Sequence, residues 1–330
     1  MENPIAQVTV VVTARERFSL AISALDKLIQ HTRCPYELIY IDGNAPPGLA
    51  EELSRMCTRE GFHYVRKERY LYPPQARNLA LDMISTPYVV FIENDVLVEA
   101  GWLEKLQDAA REHREAVLSP LICQRRPLHH EIHMAGIQMG DDVELLLQGK
   151  GQVIDEHLWH ELKVEAFPGG VQSIQSAEFH CMWMPTRLIR DFGGFDTDIL
   201  AGPDHMDFSL RCHQTRTPIY LQPSARVTFL FPDRNDPLQE SDHDFFLIRW
   251  APRVLRQSYA ALAQKWHLEK DPYLLRKQRD CHQRIYQGMR RAVYELGWMR
   301  YLPLPKGTLR HVMLKYVLPM KADRLVRRTL

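Results

Sequence analysis

The chain opens with short apolar runs set between mixed segments. Val8-Thr9-Val10-Val11-Val12 is a β-branched run, too brief for a helix and typical of a strand covered on both faces. From Phe18 to Gln30 the apolar positions Leu20, Ile22, Leu25, Leu28 and Ile29 fall close to helical spacing. The alternation then repeats. Strands are expected at Glu37–Ile41, Phe62–Val65, Tyr88–Ile92 and Ala116–Ser119, and helices at Leu49–Arg59, Pro74–Ile84 and Gly101–His113. Proline in the first turn suits the Pro74–Ile84 helix, and Asp42-Gly43-Asn44 is turn chemistry at the end of the second strand.

From Pro120 to Gly170 the pattern breaks down, and a partly looped insertion carrying His129, His130 and His133 is expected. Periodicity returns with a strand over Ser176–Met184, a short helix over Thr186–Phe192 and a turn at Gly193-Gly194-Phe195-Asp196. A helix over Asp204–Gln214 and two strands, Ile219–Leu221 and Ala225–Phe231, follow. Beyond Asp236 the chain reads as helical and basic, interrupted at Leu302-Pro303-Leu304-Pro305. Repeated strand–helix alternation implies a mostly parallel sheet with helices on both faces. Ligands of such sheets bind beyond the carboxyl ends of the strands. That directs attention to Thr13–Arg17, Asp42–Asn44, Arg66–Arg69 and Glu93–Asp95.

Composition adds limits. The 330 residues, 45% hydrophobic and 25% charged, suit a soluble globular protein with one large domain and an appendage, or with two domains. No apolar run approaches the roughly 20 residues that span a bilayer. Met1–Gln7 lacks the pattern of a signal peptide, so a cytoplasmic location is expected. The six cysteines are scattered without a C-x-x-C pair, which favours reduced thiols. The net charge of +1 hides an asymmetry: residues 236–330 hold 19 basic and 9 acidic side chains, residues 1–235 hold 23 and 32. A basic C-terminal region therefore meets something anionic: a membrane surface, an acidic acceptor or the chain's own acidic part. The absence of G-x-G-x-x-G, P-loop and G-x-S-x-G motifs argues against dinucleotide dehydrogenases, P-loop NTPases and serine hydrolases.

Glu93-Asn94-Asp95 ends an apolar strand. Two carboxylates there suit Mg²⁺ or Mn²⁺, which take few carboxylates and leave positions for phosphate oxygens; the alternative is a solvated turn. Asp42, at the same edge, fits either a ribose contact or an Asx-turn. Arg77-Asn78 lies on a helix, where the arginine suits a diphosphate or simply a surface position. Asp204-His205-Met206-Asp207 opens a helix. Asp204 is a candidate general base for an acceptor hydroxyl, with His205 or Asp207 orienting it; an N-cap aspartate is the alternative. His129-His130-Glu131-Ile132-His133 lacks H-E-x-x-H spacing and a supporting cysteine pair, so no zinc role is expected.

In order, these segments resemble family 2 glycosyltransferases of the GT-A fold. Val10 to Arg17 is similar to that family's opening strand and nucleotide loop. Ile41-Asp42-Gly43-Asn44 resembles its V-D-x-x-S turn, and Ala76-Arg77-Asn78-Leu79-Ala80 its A-R-N-x-G helix. Phe91-Ile92-Glu93-Asn94-Asp95 resembles its F-L-D-x-D metal motif with Glu for the first Asp. Gly193-Gly194-Phe195-Asp196 is similar to its G-G-F-D turn, and Asp204 to Arg211 to its E-H-x-D-L-x-L-R segment. The resemblance covers roughly residues 7–232.

It implies an α/β fold with a GT-A type nucleotide-binding mixed sheet over residues 1–235, and a basic helical region, 236–330, packed on it. It implies an inverting transfer of a sugar from a nucleotide-diphosphate sugar to an acceptor hydroxyl, assisted by Mn²⁺ or Mg²⁺. The donor would meet Thr13, Ala14, Arg15, Arg17, Asp42, Arg77, Asn78, Glu93, Asn94 and Asp95. Asp95 and Glu93 would hold the metal, and Asp204 would be the base. The acceptor would be a glycan, a lipid-linked sugar or a small molecule, with no nucleic acid involved. A non-catalytic nucleotide-sugar or glycan-binding module with the same fold is the alternative. The family's later metal-binding His has no counterpart at Val227-Thr228-Phe229, and His243 is a substitute to consider. Phe245-Phe246-Leu247-Ile248-Arg249-Trp250 resembles an F-F-x-x-R-W element assigned to packing, with covering of the donor as a second role. In the tail, Leu309, Val312, Met313, Tyr316, Val317 and Met320 recur at helical spacing among basic residues. A peripheral membrane helix over 306–330 and a helix docked on the acidic part both fit.

Overall fold

Four parallel strands carry one half of the central sheet: β1 (Val8–Thr13), β2 (Glu37–Gly43), β3 (His63–Lys67) and β4 (Tyr88–Glu93), in spatial order β4-β1-β2-β3. The structure is a computed structural model that describes residues 7–233, 235–290, 308 and 311–329. Every residue of β1 is buried, as its unbroken β-branched run demands. The connecting helices are α1 (Ala21–His31), α2 (Pro47–Glu60) and α3 (Pro73–Ala80). Thr13 pairs in register with Ile41 on one side and Glu93 on the other. The carboxyl ends of three strands thus reach one level.

The other half departs from the expected mostly parallel arrangement. Strand β5 (Val96–Val98) follows β4 after two residues, and α4 (Trp102–Glu112) leads into β6 (Val117–Gln124). Buried Trp102, Leu103, Leu106, Ala109 and Ala110 form the inner stripe of α4. The region expected to be looped is more ordered. Strand β6 continues through Pro120, β7 (Glu131–Met134) pairs with it, and β8 (Ile137–Gly140), α5 (Val143–Leu147) and β9 (Val153–His157) form a separate hairpin unit. After β10 (Gln172–Ser173), strand β11 (Cys181–Pro185) enters antiparallel between β4 and β6, which makes the sheet mixed. Helices α6 (Thr186–Asp191) and α7 (Asp204–Gln214) precede β12 (Ile219–Phe229). The two closing strands expected from the sequence are this one strand, with a register shift between Gln222 and Arg226. The intervening Pro223-Ser224 reads as a break because proline cannot donate to the ladder.

The C-terminal region is helical: α8 (His243–Arg249), α9 (Pro252–Lys265), α10 (Pro272–Arg279), α11 (Gln283–Gly288) and α12 (Leu318–Thr329). Phe246, Leu247, Val254, Leu262, Leu274 and Ile285 join the same buried cluster as the sheet. Basic residues of this region meet acids of the first: Lys265 lies 2.7 Å from Asp196, and Arg284 lies 2.9 Å from Glu16. In the tail, the buried stripe is Leu314, Leu318, Ala322 and Val326, while Val312, Tyr316, Val317 and Met320 are exposed. Met313 is buried too, so the tail's apolar face is split between core and solvent. Leu309, like the proline stretch 302–305, lies outside the described residues. No helix among the described residues is long and apolar enough to cross a membrane.

Candidate active site

A cleft of about 820 Å³ opens beyond the carboxyl ends of β1 and β4. Its lining includes Arg15 and Glu93 from the sheet edge, Asp204 and His205 from α7, and Arg249 and Trp250 from α8. The arrangement follows from where the strands stop.

Glu93 is the last residue of β4, and Asn94 turns the chain. Asn94 N donates to Thr13 O at 2.9 Å, and its side-chain amide donates to Arg17 O at 2.9 Å. The loop 13–17 is therefore stitched to the acidic triplet through Asn94. Thr13 is 1% exposed, and Ala14 packs with Phe18 and Phe245 beneath the loop. Arg17 turns away from the cleft and donates to the carbonyls of Leu230, Asp236 and Pro237. Arg15 reaches across it instead. Its guanidinium lies 3.5 Å from Glu93 Oε2, 3.0 Å from His180 and 4.6 Å over the Phe229 ring.

The two carboxylates of the triplet differ. Glu93 is surrounded by cations: Arg15, His180 Nδ1 at 2.7 Å and Arg77 at 3.9 Å. Burial pushes its pKa up, but Arg15 and His180 outweigh this and hold it below the ordinary carboxylate range. Asp95 is fully buried, and neither of its oxygens has a hydrogen-bond partner among the described residues. Burial, with Glu93 and Glu16 adding to it, pushes Asp95 up to about 7.

Asp42, Arg77 and Asn78 are engaged inside the protein. Asp42 accepts from Ala45 N at 2.7 Å in the Asx-turn geometry, and from Tyr64 Oη at 2.6 Å and Arg66. Arg77 is 1% exposed, stacks 4.0 Å over Phe179 and donates to Asp204 Oδ2 at 2.7 Å. Asn78 exchanges two 2.8 Å hydrogen bonds with the backbone of Phe195. Gly194 beside it has φ +89°, and a Cβ there would meet Asn78 Oδ1 at 2.8 Å. These residues brace the site from behind, and none of the three lines the cleft.

Asp204 opens α7 on the cleft wall. Burial raises its pKa, and Arg77 and Arg249 more than reverse this, so it is held below the ordinary carboxylate range. Neither expected helper touches it. His205 pairs with Asp155 at 3.3 Å, and Asp207 accepts from Trp266 Nε1 at 2.9 Å and Lys265 at 3.0 Å. His243 opens α8 and is not part of the cleft lining.

Several lining residues escaped sequence reasoning. Glu178 sat in a stretch read as plain strand, as did buried His180 behind it, and Asp155 and His157 in the region read as loop. Arg249 and Trp250 belong to the F-F-x-x-R-W element read mainly as packing; here both line the cleft. His129 bonds Thr228 and His130 faces Glu165, so of His129, His130 and His133 only His133 reaches the cleft.

Comparison with known proteins decides the family. The family described as "Glycosyl transferase family 2" matches residues 9–147. The chain carries a family 2 glycosyltransferase domain in the GT-A fold. The chain is 25% identical over 228 residues to the pre-mycofactocin glycosyltransferases of two Mycobacterium tuberculosis strains, CDC 1551/Oshkosh and ATCC 25618/H37Rv. That similarity covers 67% of this chain and 42% of theirs, so the match spans under half the length of these relatives. Among solved structures, the fold resembles GalNAc-T7 with UDP, GalNAc and Mn²⁺, at TM-score 0.55 and 15% identity over 92% of this chain and 59% of that one. It also resembles the mannosyltransferase PcManGT of Pyrobaculum calidifontis with GDP-Man and Mn²⁺, at TM-score 0.51 and 16% identity over 98% and 84%. Glu93 and Asp204 both line one cleft, and Asp95 lies buried two positions after Glu93.

Proposed function

We propose that the protein is an inverting glycosyltransferase that uses a nucleotide-diphosphate sugar and a divalent cation, Mn²⁺ or Mg²⁺. The observation that carries this reading is Asp95: a fully buried carboxylate with no hydrogen-bond partner among the described residues, two positions after the cleft-lining Glu93. A buried charge without a partner is costly, and a cation with phosphate oxygens would relieve it. Asp95 and Glu93 would hold the ion, which would offset charge on the departing diphosphate. The residues present fit a hard, oxygen-preferring ion.

Arg15 is the cleft cation closest to Glu93 and would turn to the diphosphate. The acceptor hydroxyl would attack the anomeric carbon from the face opposite the leaving diphosphate. The sugar–phosphate bond breaks, the new glycosidic bond forms, and the hydroxyl proton passes to Asp204. Arg77 holds that carboxylate in place and ionised. Trp250 and Arg249 would close over the donor. Residues 1–235 would act as the transferase domain and 236–330 as its basic helical cover, with tail residues 306–330 touching an anionic membrane that presents a lipid-linked acceptor. A soluble glycan or small molecule is the other acceptor class.

Calorimetry with UDP, GDP and TDP in Mn²⁺, followed by sugar-transfer assays with the matching donors, tests the reading. Wild type should bind one nucleoside diphosphate only with metal, and Asp95→Ala should remove that metal-dependent binding. Normal affinity and metal requirement in D95A would refute the assignment. Binding without transfer or donor hydrolysis would favour the non-catalytic module.

A further inference from the structure

A second polar cluster lines the same cleft, away from Asp95. His133 on β7, His157 at the end of β9 and Glu178 before β11 converge there. His133 Nε2 lies 3.3 Å from Glu178 Oε2, and His157 Nε2 lies 3.7 Å from Glu178 Oε1. His160, three residues past β9, brings its ligand atom within 4.8 Å of those of His133 and His157.

The hydrogen bonds behind these rings fix what they present. The Gln124 amide nitrogen donates to Glu131 at 2.7 Å, which leaves Gln124 Oε1 to accept from His133 Nδ1 at 3.1 Å. His160 Nδ1 lies 2.8 Å from the His133 carbonyl, which can only accept. With their protons on Nδ1, both rings carry a lone pair on Nε2. The His133 lone pair then faces a carboxylate oxygen at 3.3 Å, two acceptors directed at one another. Such a contact calls for a cation. Carbonyl and amide partners on the outer ring nitrogen are also how protein frameworks orient metal-binding histidines. Glu178 is braced in turn by fully buried His180, which links it to Glu93 at 2.8 and 2.7 Å.

We propose that His133, His157 and His160 bind one divalent transition-metal ion of the zinc type, with the Glu178 carboxylate, 3.3 and 3.7 Å from His133 and His157, as the neighbouring oxygen ligand to be drawn in, at a site separate from the Glu93–Asp95 pair. Metal–nitrogen bonds of about 2.0–2.1 Å place tetrahedral ligands about 3.3 Å apart, close to the 3.3 and 3.7 Å observed before any ion draws them in. Three imidazoles and one carboxylate select zinc over magnesium, which prefers oxygen ligands. The four residues all line the cleft, so the ion faces the same space as Asp204, where an acceptor would lie. The site does not depend on glycosyl transfer.

The test uses the untagged full chain, stripped with chelator and dialysed. Zn²⁺ titration by calorimetry should show one equivalent, and Co²⁺ should give the strong visible absorption of a four-coordinate ion. The H133Q/H157Q variant should lower zinc affinity by more than about 100-fold, beyond the loss expected from an outer-shell change. H160Q changes a ring that is 42% exposed; it should weaken zinc by more than the roughly 100-fold upper limit of an outer-shell change while leaving the melting of the metal-free protein unchanged. D95N should bind zinc as wild type does. Absence of a zinc equivalent in wild type, or its loss in D95N but not in the histidine variants, overturns the proposal. If H133Q/H157Q does not fold, H160Q and the cobalt spectrum decide it. Nucleoside diphosphate binding, measured separately, reports on the transferase reading alone.

Discussion

Arg77 and Asp204, separated by 127 positions in sequence, meet at 2.7 Å behind the cleft. Arg77 is 1% exposed and is also 3.9 Å from Glu93. It is the shared counter-ion of the proposed base and of the triplet. Breaking a buried pair by removing one partner typically costs about 3–5 kcal/mol, because the remaining charge is stranded. Arg77→Met should therefore lower unfolding stability in urea by that order. Without Arg77 the Asp204 carboxyl loses its largest stabiliser and its pKa rises. The acid limb of the kcat/KM profile should move to higher pH, and an unshifted limb would separate Arg77 from the base.

Asp95 makes stability depend on pH in an unusual direction. Its folded pKa is raised from 3.8 to about 7 by burial and by Glu93. Between those two values the folded state holds a proton that the unfolded state has released. Stability from this group is full below about pH 4 and is lost as pH rises toward 7. D95N removes the titration, so it should gain on metal-free wild type across this window, by on the order of 4 kcal/mol at pH 8. Mn²⁺ should stabilise wild type at pH 8 and leave D95N unchanged. Thermal melts at pH 4, 6 and 8 with and without the ion check both halves, and a pH-independent difference would contradict the burial argument.

The proposed base has its own test. Asp204→Asn keeps the side chain's volume and removes its ability to take a proton. Donor binding should stay within threefold, while kcat falls by about 10²–10⁴, the usual range for one general base. Transfer retained at the wild-type rate would move the role to another cleft group, with the His205–Asp155 pair next in line.

Much of this site was legible because the chemistry sits where strands end. The apolar run Tyr88–Ile92 predicts a buried strand, and Glu93-Asn94-Asp95 then falls at its carboxyl end. Asp42 shows the limit of that reasoning. Its position is right, yet both of its oxygens are taken by Ala45, Tyr64 and Arg66, and only the fold reveals Tyr64 and Arg66 arriving on the neighbouring strand. The cluster around Glu178 was not legible at all. Its members come from β7, the end of β9 and the approach to β11, so no local spacing marks them. His133 carried the one visible signal, and the two histidines beside it in sequence point elsewhere. Arg77 likewise reads as a helix-face arginine until α7 is packed against it.

The tail offers a test in which stability and surface binding separate. Leu318, Ala322 and Val326 hold α12 against the helical region, with Lys321 2.8 Å from Asp244 and Asp323 accepting from Arg253 N at 3.0 Å. Tyr316 and Met320 remain 53% and 66% exposed on the other side, among Lys315, Arg324 and Arg327. An apolar stripe rimmed by basic residues suits the interface of an anionic membrane. Wild type should co-sediment with phosphatidylserine vesicles and be released at high salt, which screens the charge contribution. Y316S/M320S alters only exposed side chains, so its melting temperature should stay within about 1 °C of wild type while vesicle binding drops at least threefold. Ala322→Glu instead attacks the buried stripe and should lower the melting temperature by several degrees. Equal vesicle binding by wild type and Y316S/M320S would leave the tail as a docked helix and nothing more.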